Sequence, residues 1–78
     1  MISKKKVIIT GAAGQDGLIL SKIFLKKKFE VHGIIKNKKY ENLNKRVKYL
    51  KTDIKNKKKI SNFIKKIKPN VIVHLAAN

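Results

Sequence analysis

Eleven consecutive residues near the start, Val7-Ile8-Ile9-Thr10-Gly11-Ala12-Ala13-Gly14-Gln15-Asp16-Gly17, constrain the fold of this chain more than all the others. An apolar run leads into three glycines spaced three apart, and an apolar stretch of helical character follows at once. That is the order a dinucleotide site needs: a strand, a tight turn, then a helix whose start faces phosphate. Gly11 permits the turn, Gly14 lets the backbone approach a pyrophosphate, and Gly17 lets the helix pack closely on the strand. Unpaired N–H groups at the helix start then hold the anion. Glycines at this spacing also mark ordinary turns; the flanking apolar segments favour the dinucleotide reading.

The rest of the chain alternates in the same manner. Residues 5–10 read as a strand whose apolar run is continuous, as in a strand covered on both faces. A helix is expected over residues 15–27, with Gly17, Leu20, Ser21, Phe24 and Leu25 in a stripe at helical spacing. Lys26, Lys27 and Lys28 crowd its C-terminus, where positive charge is favourable, and Asp16 sits at its positive end. Residues 29–35 read as a second strand, residues 36–46 as a lysine-rich loop with at most a short helix, and residues 47–50 or 47–52 as a third strand ending at Asp53. Asn56 can cap a second helix over residues 57–68, whose buried face would carry Ile60, Phe63, Ile64 and Ile67 before Pro69 stops it. Residues 70–75 read as a fourth strand. With right-handed crossovers, the order predicts an α/β fold: a partial Rossmann fold, with a four-stranded parallel sheet in the order 3-2-1-4 flanked by helices.

Composition bounds the function. The chain has 78 residues and no cysteine, so disulfides and thiol chemistry are excluded. His32 and His74 each lie in a strand-like run without a partner at metal-ligand spacing, so they read as strand residues and no metal is expected. There is neither an apolar stretch long enough to span a bilayer nor an export signal, so a cytoplasmic protein away from membranes is expected. The formal charge is +17, with 21 Lys+Arg against 4 Asp+Glu. A polyanion-binding role would explain it. A substitution bias would too: Lys contributes 20 of the 21 basic residues, Arg46 is the single arginine, and Ile, Lys and Asn fill 39 of 78 positions. The lysines fall on every expected element rather than on one stripe, which favours the bias and argues against specific nucleic-acid binding. The field still attracts phosphorylated ligands.

The motifs resemble the N-terminal part of the extended short-chain dehydrogenase/reductase family, and within it the GDP-mannose 4,6-dehydratases. Thr10-Gly11 through Gly14-Gln15-Asp16-Gly17 looks like the opening motif of that branch. Glu30-Val31-His32-Gly33-Ile34-Ile35 is similar to its second strand. Asp53-Ile54 resembles the Asp-apolar pair after strand three, and His74-Leu75-Ala76-Ala77 the small-residue turn after strand four. The resemblance implies that Gly11, Gly14 and Gly17 line a pyrophosphate, with Gln15 and Asp16 beside it. It also implies that Asp53 and Ile54 contact the adenine, and that Ala76 and Ala77 pass close to the adenosine ribose. Read without it, Asp53 could simply cap the following turn, and Ala76 and Ala77 could be packing residues.

The end of the second strand separates the two nicotinamide cofactors. An NAD site places a carboxylate on the ribose hydroxyls about twenty residues beyond the glycines. Here Lys36, Asn37, Lys38 and Lys39 occupy that region, so NADP is expected rather than NAD, with Lys36 as the 2′-phosphate partner the resemblance implies. One departure concerns Lys28, where the family usually has Gly just past the first helix; a left-handed residue there would cost roughly 1 kcal/mol as Lys. The other is the catalytic set. The resemblance puts catalysis on a Ser/Thr after strand five and on a later Tyr-x-x-x-Lys pair. Tyr40 is followed by Asn44 and Tyr49 by Asp53, so neither begins that pair and no catalytic residue is assigned. The chain therefore reads as the first quarter of an enzyme that is expected to be homo-oligomeric when intact. That enzyme would convert a GDP-sugar, GDP-mannose, to its 4-keto-6-deoxy product. The alternatives are a fragment of a related epimerase or reductase, a small basic nucleic-acid-binding protein, and the product of a decayed reading frame.

Overall fold

The structure, a computed structural model, describes residues 4–36 and 43–75. Six elements follow one another: β1 (Lys6–Thr10), α1 (Gln15–Lys26), β2 (Glu30–Ile35), β3 (Lys48–Lys51), α2 (Lys57–Ile67) and β4 (Val71–His74). The strands form one sheet in the order β3-β2-β1-β4, with every neighbouring pair parallel. This is the topology expected from the sequence, with element ends shifted by about one residue. At its end α2 stops at Ile67, because Lys68 turns left-handed at φ 55° immediately before Pro69. Asn70 fixes where β4 joins: its N–H donates to the Lys6 carbonyl at 2.8 Å, and its Oδ1 accepts the Lys6 N–H at 2.8 Å.

Strand alternation sorts the apolar residues onto two faces. Val7, Ile9, Val31 and Ile35 are buried on one, where Leu20, Phe24 and Leu25 of α1 pack against them. Ile8, His32 and Ile34 occupy the other and are also buried, as expected for central parallel strands covered on both sides. Each buried Ile or Val contributes about 1.5–3 kcal/mol. The second face is less complete. The sequence expects α2 to bury Ile60, Phe63, Ile64 and Ile67, yet these side chains are only half-buried. Phe63 meets the edge of the His32 ring on β2, with centroids 5.8 Å apart. Ile72 of β4, in register with Ile8 on that face, stays 51% exposed. The stripe on α2 is thus real, but it has too little sheet beneath it to close.

Caps follow local chemistry. Asn56 Oδ1 accepts the Lys59 N–H at 3.2 Å and starts α2 as expected. At the end of α1, the Lys28 N–H donates to Leu25 and the Phe29 N–H to Phe24, both at 3.0 Å. The Phe24 and Phe29 rings meet edge to face, with centroids 4.9 Å apart. That is a complete Schellman motif with its apolar contact, and its C′ residue is left-handed. The residue there is Lys28, at φ 67°.

Candidate functional site

The turn between β1 and α1 is built from three glycines with three different jobs. Gly11 has φ 69°, a conformation glycine adopts freely. The N–H groups of Gly11 and Ala12 both donate to the Ile34 carbonyl, at 3.1 and 3.4 Å, which anchors the turn on the end of β2. Gly17 allows close approach. A Cβ there would lie 2.6 Å from Ala12 Cα and from the Gly11 carbonyl oxygen, both backbone atoms that cannot swing aside. Gly14 is different. Its φ is −71°, and a Cβ would lie 3.5 Å from the Gly11 oxygen, an ordinary contact. Neither backbone angle nor packing requires glycine at position 14, which is exposed, and its bare backbone leaves room for something that approaches from outside.

The start of α1 is open to such an approach. The Gly14 N–H closes the turn onto the Gly11 carbonyl at 3.1 Å, and the first helical bond runs from the Leu18 N–H to the Gly14 carbonyl at 2.9 Å. The N–H groups of Gln15, Asp16 and Gly17 precede that bond, and Gly14 brings no side chain to cap them. They point out of the helix at its positive end. Gln15 and Asp16 are exposed there.

Because all four strands run the same way, their C-terminal ends lie along one edge, where ligands bind in open α/β sheets. That edge carries the glycine turn, Lys36 just past β2, Asp53 and Ile54 past β3, and Leu75 past β4. Lys36 is exposed. Asp53 does cap its turn: Oδ1 accepts the Lys55 N–H at 2.9 Å, and its carbonyl accepts the Asn56 N–H at 2.9 Å. Ile54 is 38% exposed beside it. Between β1 and β4, Thr10 Oγ1 bonds His74 Nδ1 at 2.8 Å and accepts the Leu75 N–H at 3.0 Å. Ala76, Ala77 and residues 37–39 lie outside the described residues.

One feature of this edge, and one contact at the far end of the sheet, escape a reading of the sequence. Ala12 is fully buried under the turn because β2 supplies Gly33, where a Cβ would lie 2.6 Å from the Ala12 Cβ and 2.9 Å from the Tyr49 ring. Gly33 was visible only as part of a strand motif, since its partners are 21 and 16 positions away. His32 proves to be a strand residue engaged at the other end of the sheet. Its Nε2 lies 2.6 Å from Glu30 Oε2. That bond, with the charge of Lys48 behind it, holds the Glu30 carboxyl below the usual carboxylate range against an opposing contribution from burial. Among the described residues no cluster of His, Cys, Asp and Glu could hold a metal ion, and no helix is long and apolar enough to cross a membrane.

Known proteins share this arrangement. The family model described as GDP-mannose 4,6 dehydratase matches residues 8–78. Over 31 residues the chain is 58% identical to a GDP-mannose 4,6-dehydratase of Vibrio cholerae, a stretch that makes up 40% of this chain and 8% of that protein. Among solved structures, the enzyme WbmH of Bordetella bronchiseptica, in complex with NAD+, superimposes with a TM-score of 0.82 at 25% identity, over 97% of this chain and 27% of its own. A UDP-glucose 4-epimerase of Thermotoga maritima, solved with UDP-glucose, gives 0.84 at 20% identity over 94% and 24%, a likeness of fold. The chain thus spans about a quarter of these two structures.

Proposed function

The chain belongs to the GDP-mannose 4,6-dehydratase family, and from that premise we propose that it forms the dinucleotide-binding part of a nucleotide-sugar dehydratase. The observation that carries this reading is Gly14, a glycine that neither backbone angle nor internal packing requires, placed beside the free N–H groups of the α1 start. A pyrophosphate laid there meets three backbone donors, with no side chain at position 14 in its way and Gln15 and Asp16 beside it.

The residues present fit a nicotinamide dinucleotide. The N–H groups of Gln15, Asp16 and Gly17 hold the pyrophosphate. Asp53, with Oδ1 spent on its own turn, offers its other carboxylate oxygen to the adenine amino group. The exposed side chain of Ile54 gives the adenine an apolar surface. Lys36 pairs with a 2′-phosphate, and residues 36–39 after β2 include no carboxylate to receive a free ribose hydroxyl, which favours NADP over NAD. Ala76 and Ala77 complete the ribose side by resemblance. The bound group supplies a hydride acceptor and donor. In the whole enzyme the substrate is GDP-mannose, the product its 4-keto-6-deoxy form, and the compartment the cytoplasm. This chain contributes the seat of the cofactor and no catalytic group.

Titration of the purified chain with NADP and NAD at two salt concentrations tests the reading. Affinity for NADP is expected in the high micromolar to millimolar range, about −5 kcal/mol, and greater than for NAD. Gly14→Val is expected to abolish binding while the circular dichroism spectrum is retained. Equal binding of NAD and NADP removes the 2′-phosphate argument. Undiminished binding by the Gly14 variant removes the pyrophosphate site.

A further inference from the structure

At the end of the sheet opposite the glycine turn, two adjoining surface grooves of about 490 and 510 Å³ share Leu25, Lys28 and Arg46 in their walls. The length of β2, roughly 16 Å, separates them from the cofactor edge. Lys4 and Lys48 line one groove, Lys22 and Lys26 the other, so six cations surround a continuous depression. The single carboxylate among the described residues of its wall, Glu30, is already engaged by His32 at 2.6 Å and by Lys48 Nζ at 3.7 Å. Two features mark this patch, the second of them shared with Lys68 after α2, which is left-handed at φ 55°. The only arginine of the chain lines both grooves. Lys28, also in both, is held left-handed at φ 67°, at the helix C′ position where glycine is free of strain. A strained residue that places a charge at the centre of a groove points to use of that charge.

We propose that this groove binds a linear polyphosphate anion, at a site separate from the dinucleotide edge. Charge complementarity selects an anion of many phosphates, since six cations concentrate around one depression. The walls select against nucleic acid. Bases are bound by stacking on free aromatic rings and by arginine forks. Phe29, the one aromatic among the described residues of the wall, has its ring packed on Phe24, and Arg46 stands among five described lysines.

The probe is fluorescently labelled inorganic polyphosphate of about ten phosphates, bound to the 78-residue chain near 0.15 M salt, where diffuse attraction is screened beyond about 8 Å. Binding is expected, and the pair Lys28→Gly with Arg46→Gln is expected to weaken it about tenfold. The pair Lys57→Gln with Lys58→Gln removes the same charge from an exposed turn of α2 and is expected to change it less than about twofold. Lys28→Gly alone is expected to raise the melting temperature while weakening binding, a split that a purely structural role would not produce. Equal weakening by both pairs overturns the proposal in favour of a diffuse lysine field. Absence of wild-type binding overturns it outright. Tighter groove-dependent binding of a single-stranded oligonucleotide with the same number of phosphates overturns it in favour of nucleic acid.

Discussion

Gly11 and Lys28 stand just before and just after α1 at almost the same backbone angle, φ 69° and φ 67°. At the first position the chain has the residue that adopts this angle freely; at the second it has one that is strained there. The two ends of the helix also differ in how far the fold explains their residues. Gly11 and Gly17 are required by the backbone itself. Gly14 is not, and neither is Lys28, which the fold would exchange for glycine with a gain. One end thus carries a glycine beyond what folding needs, and the other a lysine against what folding prefers. Both exceptions face outward, onto the two surfaces argued above to meet phosphate.

The largest expected effect lies at the end where the fold is strictest. Gly17→Ala puts a methyl group 2.6 Å from two backbone atoms of the Gly11–Ala12 turn, so α1 must move away from that turn. A loss of about 3 kcal/mol is expected, enough to unfold much of a small domain. Chemical denaturation of Gly17→Ala beside Gly14→Ala makes the comparison, since position 14 has ordinary room for a methyl and should lose less than about 1 kcal/mol. Similar losses at both positions would break the distinction between a glycine kept by packing and one kept for a ligand.

Local signals made most of this fold legible in the sequence. The glycine turn, the Asn56 cap, the Pro69 stop and the parallel order all rest on residues within a few positions of one another, or on a topology with one right-handed solution. The left-handed Lys28 was legible because the family resemblance puts glycine at that position, just past the helix, where a residue often turns left-handed. What was not legible depends on distant partners. The contact of Gly33 with Ala12 and Tyr49 needs the sheet register, which no window of sequence contains. The half-buried face of α2 was overestimated because a stripe at helical spacing reports what a helix can bury, not how much sheet lies beneath it. Asp53 shows both limits: the turn-capping reading is visible in the hydrogen bonds, while the adenine contact rests on resemblance and on Ile54 beside it.

A mirrored pair of substitutions sharpens the comparison between the helix ends. Gly11→Ala should lose about 1 kcal/mol and Lys28→Gly should gain about as much, because each moves an L side chain into or out of the same left-handed region. For a domain of this size the gain corresponds to a rise of about 4–8 °C in melting temperature. Thermal unfolding of both variants and the wild type measures it. A Lys28→Gly protein no more stable than the wild type would mean that the lysine side chain repays its strain through contacts within the chain.

The smallest effect is a pH dependence at the lysine-rich end. Glu30 is the one carboxylate among the described residues of the groove wall there, and its hydrogen bond with His32 holds its pKa below the ordinary value of 4.5. A carboxyl depressed in the folded state contributes stability above its unfolded pKa and loses it as pH falls through the folded value. Stability should therefore be insensitive to Glu30 above about pH 5 and decline below 4.5, where the unfolded chain binds the proton first. Glu30→Gln keeps a hydrogen-bonding partner for His32 but cannot titrate, so its stability should fall less steeply than the wild type between pH 4.5 and 3. Asp16→Asn, at the glycine end, serves as the control, since Asp16 is exposed in the first turn of α1 and makes no contact with the groove. Parallel acid profiles for the wild type and Glu30→Gln would remove Glu30 from the acid response. The Glu30–His32 contact would then be a packing arrangement rather than an ionic one, and the two ends of the helix would differ in backbone alone.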